Sequence, residues 1–217
     1  MNVTAELVRI PAGTGTAVIE GALTIPPNAE GLVLFAHGSG SSRHSPRNNF
    51  VARMLNEKRL GTLLMDLLTA DEDKNYETRF DISLLKQRLI VATDWVKSQP
   101  QTQELPVGYF GASTGAAAAL QAAATETSVN AVVSRGGRPD LAGDDLSKVK
   151  APVLLIVGGQ DFGVIELNEQ AFDQLRSVKK LVIVPGATHL FEEPGTLEQV
   201  ARLAAGWFET HLHLGEL

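Results

Sequence analysis

The stretch that decides the fold is VGYFGASTGAAAAL, residues Val107 to Leu120. It begins with a short apolar run and ends in an alanine-rich segment, so it predicts a buried strand followed directly by a closely packed helix. Between them lies Gly111-Ala112-Ser113-Thr114-Gly115, the pattern G-x-S-x-G in a tight strand-to-helix turn. Such a turn projects the serine above the sheet, and glycines flank it because a Cβ there would collide with neighbouring backbone. The stretch indicates an α/β protein with a candidate nucleophile at Ser113.

Similar apolar runs alternate with helical patterns from residue 31 onward, as expected for βαβ units around a parallel sheet. The runs are Gly31 to Ala36, Thr62 to Met65, Val107 to Phe110, Ala131 to Ser134, Pro152 to Val157 and Lys180 to Val184. Two earlier runs, Ala5 to Ile10 and Thr16 to Ile25, flank Gly13-Thr14-Gly15 and predict an antiparallel hairpin. Together they predict about eight strands in a mostly parallel sheet with helices on both faces.

Two helices are predicted from apolar residues that recur every three or four positions. These residues are Ile82, Leu85, Leu89, Ala92 and Val96 in the first, and Leu197, Val200, Ala204, Trp207 and Phe208 in the second. Pro100 marks the end of the first helix, and Gly195-Thr196 marks the start of the second.

Length and composition narrow the class of protein. The 217 residues fit a single domain, residues 1–217, since α/β domains reach about 250 residues. The net charge of −6 gives no basic surface for nucleic acid or anionic lipid. No apolar run approaches the roughly 20 residues that cross a bilayer, and the N-terminus lacks a secretory signal pattern. We therefore expect a cytoplasmic protein with no nucleic-acid or membrane partner.

A serine nucleophile needs a base, and the base needs an acid that orients it. The run PVLLIV leads into Asp161, and the run KLVIV leads into His189. Because the carboxyl ends of parallel strands meet at one edge of the sheet, Ser113, Asp161 and His189 can meet there as a catalytic triad. Each residue also has a simpler explanation: a helix N-cap for Ser113, an N-cap or turn for Asp161, and an ordinary loop histidine for His189.

An oxyanion formed at the acyl carbon needs hydrogen-bond donors. His37-Gly38-Ser39-Gly40 follows the strand GLVLFA, where serine hydrolases of this order supply one backbone N–H; the other comes from the residue after the nucleophile. We predict the backbone N–H groups of Ser39 and Thr114 as these donors. His37 is interpreted as a structural part of the turn rather than a second base, and His44 as a solvated loop residue.

Four arginines fall in two predicted strand-end loops: Arg43 and Arg47 in one, Arg135 and Arg138 in the other. Arginine binds carboxylate and phosphate through a planar fork of donors. One hypothesis is that one or two of them recognise an anionic group of the substrate. The alternative is internal pairing, with Asp140 holding Arg138 and Arg47 holding its own loop.

Metal and organic cofactors find no support in the sequence. The acidic run Asp71-Glu72-Asp73 has no accompanying histidine or regular ligand spacing, so a solvated loop is the better interpretation. The glycines complete neither a dinucleotide-binding nor a P-loop pattern. The chain has no cysteine, which excludes disulfides, thiolate metal sites and a cysteine nucleophile.

Four motifs resemble the α/β-hydrolase superfamily, and within it the compact, capless dienelactone hydrolase-like branch. They are HGSGSSRHSPRN (His37 to Asn48), GASTGAAAAL (Gly111 to Leu120), GGQD (Gly158 to Asp161) and GATHLFEEPG (Gly186 to Gly195). The resemblance covers nearly the whole chain and implies a serine hydrolase fold, with Ser113, Asp161 and His189 at the triad positions. Dienelactone hydrolases proper use a cysteine nucleophile, whereas position 113 is serine.

The short connection between Ser134 and Pro152 leaves little room for a lid, which favours an open site and small substrates. The sequence thus predicts a serine hydrolase of small carboxylic esters, with lactones and thioesters as alternative substrates. Two other functions stay open: acyl transfer to an acceptor other than water, and a non-catalytic binding module on the same scaffold. The oligomeric state is not predicted.

Overall fold

Eight strands form one sheet in the computed structural model, which describes residues 4–13 and 17–212. The order across the sheet is β1-β2-β4-β3-β5-β6-β7-β8. The strands are β1 Glu6–Pro11, β2 Val18–Thr24, β3 Gly31–Ala36, β4 Leu60–Met65, β5 Val107–Ala112, β6 Val129–Arg135, β7 Val153–Gly158 and β8 Lys179–Val184. The predicted α/β fold with about eight strands is therefore confirmed.

The sheet is parallel from β4 to β8, and the hairpin of β1 and β2 joins it antiparallel at the β4 side. The predicted hairpin is confirmed, although most of its turn, residues 14–16, lies outside the described residues. Strand ends differ from the predictions by a residue or two. β4, for example, begins at Leu60 rather than Thr62, because Leu60 and Gly61 already pair with β3.

Helices cover both faces of the sheet, as predicted. Within the described ranges they are α1 Pro46–Glu57, α2 Ile82–Ser98, α3 Thr114–Thr125, α4 Phe162–Gln174 and α5 Thr196–His211. α1 and α5 pack on one face, and α2, α3 and α4 pack on the other. The central strands β3, β4, β5 and β7 are buried at every residue, whereas β8, at the edge of the sheet, is only partly covered.

The region predicted as a polar loop after β3 contains a helix. Ser45 caps α1 by accepting a hydrogen bond from the backbone N–H of Asn48, and Pro46 begins the helix. Arg47 therefore lies in the first turn of α1, not in a loop as the sequence suggested. Its position on a rigid element fixes where the guanidinium can reach.

No cap lies between β6 and β7 in the described structure. The connection is a short 3-10 segment, Pro139–Lys148, which packs against α3 and α4. The carboxyl edge of the sheet thus stays uncovered there, as the short connection predicted. Among the described residues no helix is long and apolar enough to cross a membrane.

Candidate active site

A strained turn places Ser113 between β5 and α3. Its φ of 51° and ψ of −122° are unusual for a residue with a side chain. The flanking glycines have no room for a side chain: a Cβ on Gly111 would lie 2.4 Å from Ala116 Cα, and one on Gly115 would lie 2.2 Å from the carbonyl oxygen of Ala36. The G-x-S-x-G pattern is therefore required by the packing of this turn, and it holds Ser113 at the carboxyl end of β5.

Ser113 occupies the N-cap position of α3, yet its hydroxyl makes no capping hydrogen bond. Other caps in the chain behave differently: the side chains of Ser45 and Asp81 each accept a hydrogen bond from a backbone N–H of the helix that they begin. Capping is the simpler explanation for a serine at this position. The structure does not support that explanation, so the hydroxyl remains free for another role.

Asp161 and His189 form the second part of the site. Asp161 ends the turn after β7 and occupies the N-cap position of α4, again without a capping hydrogen bond. Its Oδ2 instead accepts a hydrogen bond from His189 Nδ1 at 2.6 Å. The side chains are 16% and 38% exposed respectively, so the pair is shielded but open to solvent on one side. The carboxylate holds the proton on Nδ1 and leaves Nε2 as the basic nitrogen.

Ser113 and His189 line the same cavity, which has a volume of about 270 Å³. Within the described part of the chain no hydrogen bond joins the side chains of Ser113 and His189. The structure therefore shows the contact between Asp161 and His189, and it places Ser113 in the same cavity without a hydrogen bond to the imidazole. Catalytic hydrogen bonds are often long before substrate binds. Gly136 lies against the imidazole: a Cβ there would be 3.5 Å from both His189 Nδ1 and Cε1.

His37 has the structural role that the sequence suggested. Its Nδ1 donates to the carbonyl oxygen of Gly38 at 2.9 Å, and its Nε2 accepts from the backbone N–H of Leu67 at 3.0 Å. Burial lowers its pKa, since the charged imidazole would lose its hydration. The neutral ring thus ties the loop after β3 to the loop after β4 and has no free nitrogen for catalysis.

Sequence reasoning missed a contact between the two predicted oxyanion donors. The backbone N–H of Ser39 donates to Thr114 Oγ1 at 2.9 Å. Thr114 is the first residue of α3, so its own N–H has no partner within the helix. The Ser39 N–H is therefore occupied in this structure, and an oxyanion would have to share it with the threonine hydroxyl.

Two of the four candidate substrate-binding arginines have their guanidinium groups paired with carboxylates. Arg43 pairs with Asp66, and its Nη2 lies 2.7 Å from Glu20 Oε2. Arg138 pairs with Asp140 at 2.7 Å, as the internal alternative proposed. Neither lines the cavity at Ser113. The substrate-binding role predicted for these two arginines gains no support, because their guanidinium groups already have partners.

Arg47 and Arg135 do line the cavity at Ser113. Arg47 Nη1 lies 3.3 Å from Oε1 of Glu192, a residue of the His189 loop, so its partner is not its own loop as the internal alternative proposed. Arg135 ends β6 beside the nucleophile strand and is only 6% exposed. These are the two arginines that line the candidate site among the described residues.

The acidic run at residues 71–73 is held by basic side chains. Its three carboxylates pair in turn with Lys74, Arg88 and Arg79. Residues 4–13 and 17–212 contain no group of three or more histidine or acidic side chains placed to hold a metal ion.

The chain is similar to known proteins over nearly its whole length. A model of the dienelactone hydrolase family matches residues 66–212. A solved structure of a dienelactone hydrolase from Anabaena variabilis is 55% identical, with a TM-score of 0.94, over 97% of this chain and 99% of that one. Est1E from Butyrivibrio proteoclasticus is 19% identical with a TM-score of 0.80, over 94% of this chain and 98% of its own. At that identity the likeness concerns the fold alone.

Two curated relatives from Mycobacterium tuberculosis, of strains CDC 1551 and H37Rv, carry the name "putative phosphoribosyl transferase". Both are 60% identical over 208 residues, which is 95% of this chain but 46% of theirs. The chain thus spans about half the length of these relatives.

Proposed function

The chain belongs to the dienelactone hydrolase family and is a hydrolase of the α/β-hydrolase fold, and on this premise we propose that it cleaves small carboxylic esters through an acyl-serine intermediate. One observation carries the proposal: Ser113 and Asp161 both hold helix-capping positions and neither caps its helix. Asp161 binds His189 instead, and His189 shares a cavity with Ser113. The Asp161–His189 pair and the shared cavity support a Ser-His-Asp triad, in which His189 Nε2 would take the proton of Ser113.

In the proposed mechanism Ser113 Oγ attacks the acyl carbon while His189 Nε2 takes its proton. The imidazolium then passes that proton to the leaving alcohol, which departs as the acyl-serine forms. A water molecule, deprotonated by the same nitrogen, attacks the acyl carbon, and Ser113 leaves with the proton. Asp161 keeps the imidazole oriented and stabilises its charged form in both halves of the reaction.

The oxyanion hole of this mechanism consists of the Thr114 and Ser39 N–H groups. The hydrogen bond from Ser39 to Thr114 Oγ1 supports this proposal, because it holds the loop after β3 against the start of α3. The two elements that carry the proposed donors are therefore held together before substrate arrives, and the oxyanion would share the Ser39 N–H with the threonine hydroxyl.

Replacing Ser39 by proline tests its donor role, because proline has no backbone N–H. We expect kcat for p-nitrophenyl acetate to fall about 10² to 10³-fold, the effect of losing one oxyanion donor. The matched control is Ser39→Ala, which keeps the N–H and should stay within a few-fold of wild type. Equal kcat values for the folded alanine and proline variants would contradict the role.

Covalent labelling tests the proposed function directly. A fluorophosphonate is expected to form an adduct on the peptide that contains Ser113, located by mass spectrometry, and the same protein should hydrolyse p-nitrophenyl acetate. Turnover without an adduct on Ser113 would contradict the acyl-serine mechanism. If neither reaction occurs, the chain is a binding module on this scaffold; a product that appears only with an added alcohol acceptor would identify a transferase.

The name of the mycobacterial relatives describes proteins about twice as long, and we assign no phosphoribosyl transfer to this chain. The segment that they share with it covers 95% of this chain. Their name does suggest one class of ester alcohol for this hydrolase, a phosphorylated sugar.

A further inference from the structure

The cavity at Ser113 contains a buried positive charge that has no counter-ion. Arg135 is 6% exposed, and its Nε is buried with no hydrogen-bond partner. In the described ranges of the chain no carboxylate pairs with it; its guanidinium carbon lies 5.8 Å from the centre of the Phe191 ring. Burial, with a smaller contribution from the charge of Arg47, lowers its pKa to about 10. The group is still charged at neutral pH, and a charge buried without a partner is costly.

Other arginines of this chain do not share this situation. Arg88, which is about as buried, has Glu72 as its partner, and the partly buried Arg43 has two carboxylates. Other buried guanidinium groups of the fold therefore have a carboxylate partner, whereas Arg135 has none among the residues that the structure describes. An arginine beside the nucleophile is expected to lack a carboxylate partner when the ligand itself provides the negative charge.

Arg47 adds a second, incompletely paired guanidinium to the same cavity. Its Nε is buried without a hydrogen-bond partner, and its ion pair with Glu192 spans 3.3 Å to a side chain that is 65% exposed. An exposed pair of this kind compensates charge weakly. Arg47 also lies in the first turn of the twelve-residue helix α1, whose N-terminal dipole favours an anion.

We propose that Arg135 and Arg47 form a phosphate subsite, so that the substrates of this hydrolase are small esters which carry a phosphate monoester. The inference rests on the proposed function for the ester bond at Ser113. Two guanidinium groups match a phosphate monoester, which carries about −1.5 to −2 at neutral pH, better than they match a carboxylate of charge −1. Arginine also binds phosphate oxygens through two parallel hydrogen bonds.

The cavity also bears on the rest of the substrate. Ser113, Arg47 and Arg135 all line one cavity of about 270 Å³. A substrate whose phosphate and ester carbonyl are separated by only a few atoms would place both groups in it, as in an acetyl ester of a phosphorylated short polyol. Longer acyl chains would extend through the uncovered edge of the sheet.

Calorimetry with inorganic phosphate tests the subsite without any turnover. We expect wild type to bind phosphate more tightly than acetate or succinate at equal ionic strength. Arg135→Met and Arg47→Met should each weaken phosphate binding at least about tenfold, the effect of losing a hydrogen bond to a charged group. Arg53→Met is the matched control, since Arg53 is an exposed arginine on the same helix, and it should bind as wild type does.

The effect of Arg135→Met on folding provides a second readout. Removing a buried, unpaired charge should raise Tm in phosphate-free buffer, because the cost of desolvating the guanidinium disappears. A lower Tm would indicate a structural role and contradict the subsite. If Arg135→Met does not fold, phosphate binding can be measured on Arg135→Lys and Arg47→Met instead. Lysine retains the positive charge of Arg135 but lacks the planar fork of hydrogen-bond donors.

Kinetics then connect the subsite to the reaction. The kcat/KM for 1-acetylglycerol 3-phosphate should exceed that for 1-acetylglycerol at least about tenfold in wild type. The ratio of the two values should approach one in Arg135→Met and Arg47→Met.

Hydrolysis of both esters at equal rates, without phosphate binding, would overturn the subsite and leave the proposed hydrolase intact. Arginine-dependent phosphate binding without hydrolysis of either ester would overturn the hydrolase and leave the subsite. Tighter binding of succinate than of phosphate would overturn the phosphate assignment.

Discussion

Replacing Ser113 by alanine is expected to lower kcat for p-nitrophenyl acetate about 10⁶-fold, the loss seen when a triad serine is removed. In the proposed mechanism the substitution removes the oxygen that forms the acyl intermediate, and His189 and Asp161 would not compensate because they act on that oxygen. Residual turnover should match general-base hydrolysis by water within the cavity. The measurement is a steady-state assay with enzyme at a concentration that would reveal a rate a million times slower than wild type.

The fold should survive this change, since the Ser113 hydroxyl makes no capping hydrogen bond that the helix would lose. Urea unfolding should give Ser113→Ala a midpoint close to that of wild type. Ser147→Ala, at an exposed serine of the 3-10 segment, is the matched control and should keep full activity. Substantial activity in pure Ser113→Ala would contradict the acyl-serine mechanism.

Replacing Asp161 by asparagine is expected to lower kcat about 10⁴-fold. The carboxylate accepts the Nδ1 proton of His189 at 2.6 Å. An asparagine amide can donate to Nδ1 instead, which would move the ring proton to Nε2, the nitrogen that accepts the proton of Ser113 in the proposed mechanism. Asparagine is nearly isosteric with aspartate, so the geometry stays and the tautomer changes.

Asp173→Asn is the control for this variant, because Asp173 is an exposed aspartate on the same helix, α4. It should retain wild-type kcat. We expect KM of Asp161→Asn to change much less than kcat, since the carboxylate acts on the base rather than on bound ester. A loss of kcat below tenfold would mean that another group orients His189, and the assignment of Asp161 to the proposed triad would be wrong.

The sequence was sufficient to predict the sheet and to place the three catalytic candidates at the ends of its strands. Ser113, Asp161 and His189 each follow a strand, and parallel strands bring their carboxyl ends to one edge whatever the details of packing. The pairing of Asp161 with His189 follows from this topology. The steric reason for the flanking glycines could also be predicted, since a tight turn leaves no room for a Cβ in any protein.

Other features depend on contacts between distant parts of the chain. Thr114 Oγ1 and the Ser39 N–H are separated by 75 positions, and a threonine in a helix gives no sign of such a contact. The arginines differ in this respect. The pairing of Arg138 with Asp140 could be predicted from their spacing of two residues, whereas the lack of a partner for Arg135 depends on the folded cavity. α1 was missed because its first turn is polar, and only the cap at Ser45 marks its start.

The positive φ of Ser113 means that this protein is less stable than its scaffold allows. A left-handed residue with a side chain costs on the order of 1 to 3 kcal/mol, whereas glycine adopts this conformation without penalty. Selection for folding alone would therefore favour glycine at the centre of G-A-S-T-G, which would remove the proposed nucleophile. Directed evolution that screens for heat resistance without screening for turnover would therefore tend to replace the proposed nucleophile.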